Sequence, residues 1–218
     1  AEERPYNKLP ARSTLAARMD RKGAQLFFFD ALGVEYLSYI LEKCEEYGLI
    51  AEILIGVCQL PSITCENKDF ISFFGNNFKK IDDLDELKHH SQIFDYQQCK
   101  EPIHLFRELE IIDKQLQQIR KGLIQDSFNK AVIISDHGAS RLAVISNHQS
   151  KSNIHLDEKG EHSGRCCPTS SDPGIPFAAY TPNGYVVLAN YDRFKGGRAA
   201  NVEVHGGATL EEVLVPLI

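Results

Sequence analysis

No stretch of this 218-residue chain approaches the roughly 20 consecutive apolar residues needed to cross a bilayer. The amino end is polar and has none of the apolar core of a secretory signal, so no membrane partner is expected. Basic excess is lacking too. The 24 Lys and Arg against 30 Asp and Glu give a formal net charge of -6, which argues against a DNA footprint over the whole surface. Arg193, Lys195 and Arg198 leave open a local basic patch, with a solvated loop as the plainer alternative. The six cysteines (44, 58, 65, 99, 166 and 167) have no disulfide-framework rhythm, and Cys44 and Cys58 sit among apolar neighbours. Reduced thiols and a cytoplasmic location are the expectation. No internal repeat is visible.

Apolar residues at 43% and charged residues at 25% suit one α/β domain with a real core. Residues 1–23 read as a polar surface lead-in and 24–218 as the domain. The chain starts at Ala1 and stops after Val215-Pro216-Leu217-Ile218, as expected of a piece cut from a longer protein. Residues 25–29 form a buried strand pattern. Residues 34–46 carry apolar positions 34, 37, 40, 41 and 44 at helical spacing, and Gly48 stops that helix. Residues 50–58 read as a second strand, 75–102 as irregular and charged. Positions 105, 106, 109, 112, 116, 119 and 123 form the stripe of a long amphipathic helix, which feeds the strand 131–134. Such alternation predicts a doubly wound, mostly parallel sheet flanked by helices. Near 146–190 lies a loop and hairpin excursion, its strands 177–180 and 185–188 meeting at Pro182-Asn183-Gly184. A last strand, 213–218, follows a capping-box signature at Thr209 and Glu212.

Chemistry-bearing residues stand where strands are expected to stop. Asp30 closes Leu26-Phe27-Phe28-Phe29, Asp136-His137 closes Ala131-Val132-Ile133-Ile134-Ser135, and His205 follows Val202-Glu203-Val204. Ligands of open α/β sheets gather at that edge, and carboxylate with imidazole is a partial ligand set for zinc or manganese. Gly138, Gly206 and Gly207 would let the backbone approach an ion or anion. Thr64, after Pro61 and at the expected start of a helix over 66–74, is the candidate nucleophile, with a simple N-cap as its structural alternative. Arg141 could clamp a phosphate or form a surface salt bridge. His162 with Cys166 and Cys167 makes at best an incomplete zinc set, His89-His90 reads as a wet helix end, and Phe27-Phe28-Phe29 reads as core.

Leu60-Pro61-Ser62-Ile63-Thr64, Ser135-Asp136-His137-Gly138-Ala139-Ser140-Arg141-Leu142 and the run from His205 to Pro216 resemble the PglZ domain of the alkaline phosphatase superfamily, found in bacterial BREX anti-phage systems and some signalling proteins. The resemblance covers residues 24–218. It implies an alkaline phosphatase-like fold and metal-dependent hydrolysis of phosphate esters, with nucleotide or nucleic acid among the possible substrates and other defence proteins as partners. It also implies one or two ions, zinc or manganese, with Thr64 as phosphate acceptor and metal ligand. Asp30, Asp136 and His137 then hold the first ion and His205 the second. The second ion takes an Asp and, four residues on, a His. Between Thr64 and Asp136 the counterpart chosen is Asp95, with Cys99 where His should stand and His104 as a substitute. That irregularity leaves a one-metal or non-catalytic assembly module as an alternative, and a nuclease, a phosphodiesterase with a polymer substrate, is a further one.

Overall fold

A computed structural model describes residues 9–90, 103–149, 153–198, 200 and 202–218. The central sheet has five strands, β1 (Ala24–Phe29), β2 (Leu54–Val57), β3 (Phe78–Ile81), β4 (Lys130–Ser135) and a strand at Leu214–Leu217, in the order β2, Leu214–Leu217, β4, β1, β3. β1 runs parallel to β3 and β4. The last strand is antiparallel to both of its neighbours, so the sheet is mixed and mostly parallel. Residues of β1 are buried along nearly the whole strand, which is why its sequence is a continuous apolar run rather than an alternating one.

Successive side chains of β1 serve opposite faces. Phe27 and Phe29, with Ile133, pack under α2 (Leu37–Glu46) and under the long helix α4 (His104–Ile124) through Ile40, Cys44, Ile112, Leu116 and Ile119. Leu26 and Phe28, with Val132 and Ile134, pack on the other face against Ala16, Phe70 and Phe74. Helical segments therefore cover both faces. Gly48 takes φ +68, Leu49 N–H returns to the Cys44 carbonyl at 2.8 Å and Gly48 N–H to the Glu45 carbonyl at 3.0 Å, closing α2 in a Schellman motif.

Several expectations are corrected. Residues 12–18 are not surface lead-in: α1 (Arg12–Arg18) buries Arg12 and Ala16, and Arg12 donates to the Asp136 carbonyl at 2.9 Å. Within the stretch expected to be irregular, residues 78–90 are regular, with β3 followed at once by α3 (Asp83–His90). The helix His104–Ile124 buries Ile112, Leu116 and Ile119 as expected, yet Phe106 is 72% exposed, and His104 and Glu108 extend the buried stripe instead. After Thr64 come two short 3-10 turns, Thr64–Glu66 and Asp69–Phe73, rather than one helix. Residues 202–204 form no strand; Val204 makes a single bridge to Ser140.

The excursion holds α5 (Arg141–Gln149), the short strand pair β5 (Asn153–Ile154) and β9 (Arg193–Phe194), and a sheet of β6 (Cys166–Pro168), β7 (Ala178–Tyr180) and β8 (Tyr185–Leu188). The hairpin forms in the register Ala178↔Leu188. α6 (Leu210–Val213) leads into β10 (Leu214–Leu217), with the Glu212 carboxylate accepting from the Thr209 N–H at 3.1 Å. Among the described residues no helix is long and apolar enough to cross a membrane. The five described cysteines are all free thiols.

Phe28 is 1% exposed and meets Phe70 edge-on at 5.1 Å. Phe28→Ala is expected to cost about 3–5 kcal/mol in urea unfolding; a loss below about 1 kcal/mol would contradict this packing.

Candidate metal centre

The register of β1 and β4 decides which side chains meet. Phe29 pairs with Ser135, so Asp30 and Asp136 leave the sheet side by side, and Phe29 also pairs with Ile81 of β3. Both acids are buried. Asp136 is oriented by its neighbours: Oδ1 accepts from the backbone N–H of His137 at 2.9 Å and of Ala31 at 3.2 Å. Its Oδ2 is buried with no hydrogen-bond partner among the described residues. Asp30 Oδ2 is held by Lys80 Nζ at 2.8 Å, and Lys80 also pairs with Asp82.

His137 Nδ1 lies 3.0 Å from the Gly138 carbonyl. A carbonyl only accepts, so Nδ1 carries a proton and Nε2 is the nitrogen that faces inward, 3.6 Å from Asp30 Oδ1 and 3.4 Å from Asp136 Oδ2. His205 is set the same way, with Nδ1 3.0 Å from the Ser62 carbonyl. Fixing the tautomer from behind is how imidazole ligands are prepared for metal. The two rings stack at 4.0 Å.

Thr64 completes this side. Its Oγ1 is 3.3 Å from Asp30 Oδ1 and 3.3 Å from His137 Nε2. The loop that carries it is pinned by buried Asn67, whose amide donates to the carbonyls of Gln59, Pro61 and Ile63 and accepts from the Gln59 N–H. Ser62 ties the loop to the His205 segment, donating to the Gly207 carbonyl at 2.8 Å and accepting from Gly206 N–H at 2.9 Å. Thr64 is the first residue of its 3-10 turn and not its N-cap, which is Ile63.

A second set of ligand-type side chains forms on α3 beside His205. Asp95 and Cys99 lie outside the described residues. The Asp-x-x-x-His spacing is met earlier, by Asp85 and His89 on one face of α3, with Asp85 Oδ1 3.2 Å from His89 Nε2 and 3.6 Å from His205 Nε2. The potential ligand atoms of Asp85, His89 and His205 lie within 4.8 Å of one another, as do those of Asp30, Asp85 and His137. His89, read from sequence as a wet helix end, is thus a member of the site; its spacing from Asp85 was the available signal. His104 does not reach over: it lies with Glu108 and Glu203, 3.9 Å from each. Arg141 donates to Glu203 Oε1 at 2.7 Å, so its guanidinium is engaged in a buried network. Within that network Lys88 Nζ pairs with Glu203 at 2.9 Å and donates to the Ala31 carbonyl at 3.0 Å. It thereby anchors α3 directly behind Asp30.

The glycines serve protein packing. A Cβ on Gly138 would stand 2.1 Å from the Glu211 carbonyl, and one on Gly207 would strike the Glu212 carboxylate. Cys166 and Cys167 are buried in the small sheet, and burial pushes both thiols up, that of Cys167 to about 11. With His162 they make no metal-sized group among the described residues. Arg193 donates to the Gly197 carbonyl within its own turn. An apolar cavity of about 510 Å³ lies at the opposite edge of the sheet, at the starts of β2 and β4, remote from all these ligand-type side chains.

Electrostatics agree with a cation site. Burial, and then the Asp136 charge, push the Asp30 carboxyl up to about 6, the response of crowded acids with no cation between them. Asp85 is also pushed up by burial, yet the hydrogen bond and charge of His89 bring it below the ordinary value. Burial and the neighbouring imidazoles of His137, His89 and His162 hold His205 well below the usual histidine range, in the neutral form that binds metal. An orphaned carboxylate oxygen, inward Nε2 atoms and crowded acids make a donor set that could hold a divalent metal ion. No family model matches this chain, and no curated protein matches it.

The Asp30 shift gives a signed test. A carboxyl raised from 3.8 to about 6 binds its proton more tightly folded than unfolded, so its contribution to stability falls as pH rises through that window. Chelator-treated Asp30→Asn protein is therefore expected to melt higher than the chelator-treated parent near about pH 7, the gap closing toward about pH 4. A variant less stable than the parent at both pH values would refute the crowding.

Proposed function

We propose that the chain is a divalent-metal phosphohydrolase with Thr64 as its nucleophile, of the alkaline phosphatase superfamily and similar in its motifs to the PglZ domain. One observation carries most weight: the Thr64 hydroxyl sits 3.3 Å from both Asp30 and His137, inside the same cluster of acids and imidazoles. The Asp85 and His89 pair, four residues apart and gathered with His205, supplies the second ligand set that the resemblance implies. It supports a two-ion enzyme over a one-metal or non-catalytic module.

Asp30, Thr64, Asp136 and His137 would hold one ion, and Asp85, His89 and His205 the other. Bound divalent ions supply Lewis acidity, charge neutralisation and a lowered hydroxyl pKa. The chain's own groups do the rest. Asn67 and Ser62 fix the Thr64 loop, so the hydroxyl is oriented before substrate arrives. Lys80 occupies one oxygen of Asp30 and leaves the other facing Thr64. Attack forms the Thr64 Oγ–phosphorus bond and breaks the bond to the leaving group, whose oxygen keeps the electron pair, while the hydroxyl proton passes to solvent. Water then cleaves the phosphothreonine and regenerates Thr64. Phosphate esters, nucleotides and nucleic acids included, are the substrate class. A setting in anti-phage defence, with other defence proteins as partners, rests on the family resemblance alone.

With zinc or manganese supplied, the chain is expected to hydrolyse 4-nitrophenyl phosphate or bis(4-nitrophenyl) phosphate. Thr64→Ala is expected to lose on the order of a thousandfold or more in kcat, and Thr64→Ser to keep much of it. Full activity in Thr64→Ala, at equal metal content, would sink the nucleophile assignment.

A further inference from the structure

The site has one histidine too many. Contacts run in order from Thr64 to His137, from His137 to His205, and from His205 to His162, whose ring centroid is 4.9 Å from that of His205. His162 is exposed, whereas His137 and His205 are buried, so it covers the solvent side of the cluster. Its ring belongs to neither of the ligand groupings formed by Asp30, Asp85 and His137 or by Asp85, His89 and His205.

The backbone that delivers His162 is unusual. His162, Ser163 and Gly164 have φ of +46, +57 and +85, three left-handed residues in succession, two of them not glycine. Such conformations persist only where the surroundings impose them, and they concentrate at functional sites. Here the surroundings do impose them. Gly164 N–H and Arg165 N–H both return to the Glu161 carbonyl at 2.8 and 3.0 Å. The following residue, Arg165, is wholly buried and grips Glu212 with Nε at 3.0 Å and Nη2 at 2.9 Å. Glu212 in turn accepts from Gly207 N–H at 3.0 Å, two residues beyond His205. A Cβ on Gly206 would stand 2.7 Å from the His162 Cβ, so the glycine admits the close approach. The hairpin of the same small sheet is fastened beside Thr64, where Asn183 donates to Glu66 at 2.8 Å.

We propose that His162 contacts the leaving group, donating a ring N–H hydrogen bond to the departing oxygen of the phosphate ester; this deepens, and rests on, the phosphohydrolase reading. A substrate with phosphorus against Thr64 extends past His137 and His205, and His162 is the exposed donor at the far end of that row. As the bond from phosphorus to the leaving oxygen breaks, the electron pair moves onto that oxygen and the hydrogen bond strengthens. His162 keeps its proton, and solvent protonates the product.

Charge on the leaving oxygen is greatest for poor leaving groups, so the contact is read by varying the ester. Asn and Gly both tolerate left-handed backbone, so His162→Asn and His162→Gly remove the ring with least strain. Zinc-loaded parent and variants are compared on 4-nitrophenyl, phenyl and methyl esters, with metal content measured for each. Expected is a loss in kcat/KM of about ten- to hundredfold on the poor leaving groups, a small loss on the 4-nitrophenyl ester, and unchanged metal content. Equal losses on all esters, or loss of an ion from both variants, would overturn the proposal while leaving the phosphohydrolase reading intact. A parent inactive on every ester would overturn both.

Discussion

Two carboxylates, Asp30 and Asp136, emerge from adjacent parallel strands into a buried corner. Because Phe29 is registered with Ser135, the backbone leaves them no route apart. Their mutual repulsion is the constraint around which this edge of the molecule is organised. Lys80 takes one oxygen of Asp30, the backbone amides of Ala31 and His137 take one oxygen of Asp136, and His137 turns its Nε2 toward both. What remains unsatisfied is the charge that a divalent ion would supply.

Around this corner stand ion pairs that join distant parts of the chain: Lys88 with Glu203 and Arg165 with Glu212, both buried, and buried Arg12 with part-exposed Asp69. Such pairs contribute little net stability, because desolvation offsets their attraction. Their geometry is more informative. Arg12 also bonds the Asp136 carbonyl, Lys88 the Ala31 carbonyl, and Glu212 the Gly207 amide, so each pair meets the backbone within two residues of a ligand-type side chain. They hold the site by its backbone and leave the functional side chains turned inward.

Much of this was legible in the sequence, for physical reasons. An apolar run that stops at an acid is a buried strand reaching its polar edge, and Asp30 and Asp136 follow directly. Thr64, His137 and His205 join them as the motifs imply. The illegible parts are those where local composition misleads. Charged residues concealed β3 and α3, because α3 buries only a narrow stripe, including the charged Lys88, while Asp85 and His89 serve the site. Asp85 and His89 carry the Asp-x-x-x-His spacing ten residues before Asp95 and Cys99, within a charged run whose composition reads as irregular. α1 looked like surface because its buried member Arg12 is charged, and only tertiary partners reveal why. The glycines after His137 and His205 were read as room for an ion, whereas they make room for Glu211, His162 and Glu212. None of the antiparallel placement of β10 between β2 and β4 shows in its apolar run.

The central claim is that these side chains gather around cations, and anomalous scattering from crystals soaked in zinc tests it most directly. Two peaks are predicted, one bounded by Asp30, Thr64, Asp136 and His137, the other by Asp85, His89 and His205. Zinc bound elsewhere on the surface, with no peak touching Asp136, would contradict the account.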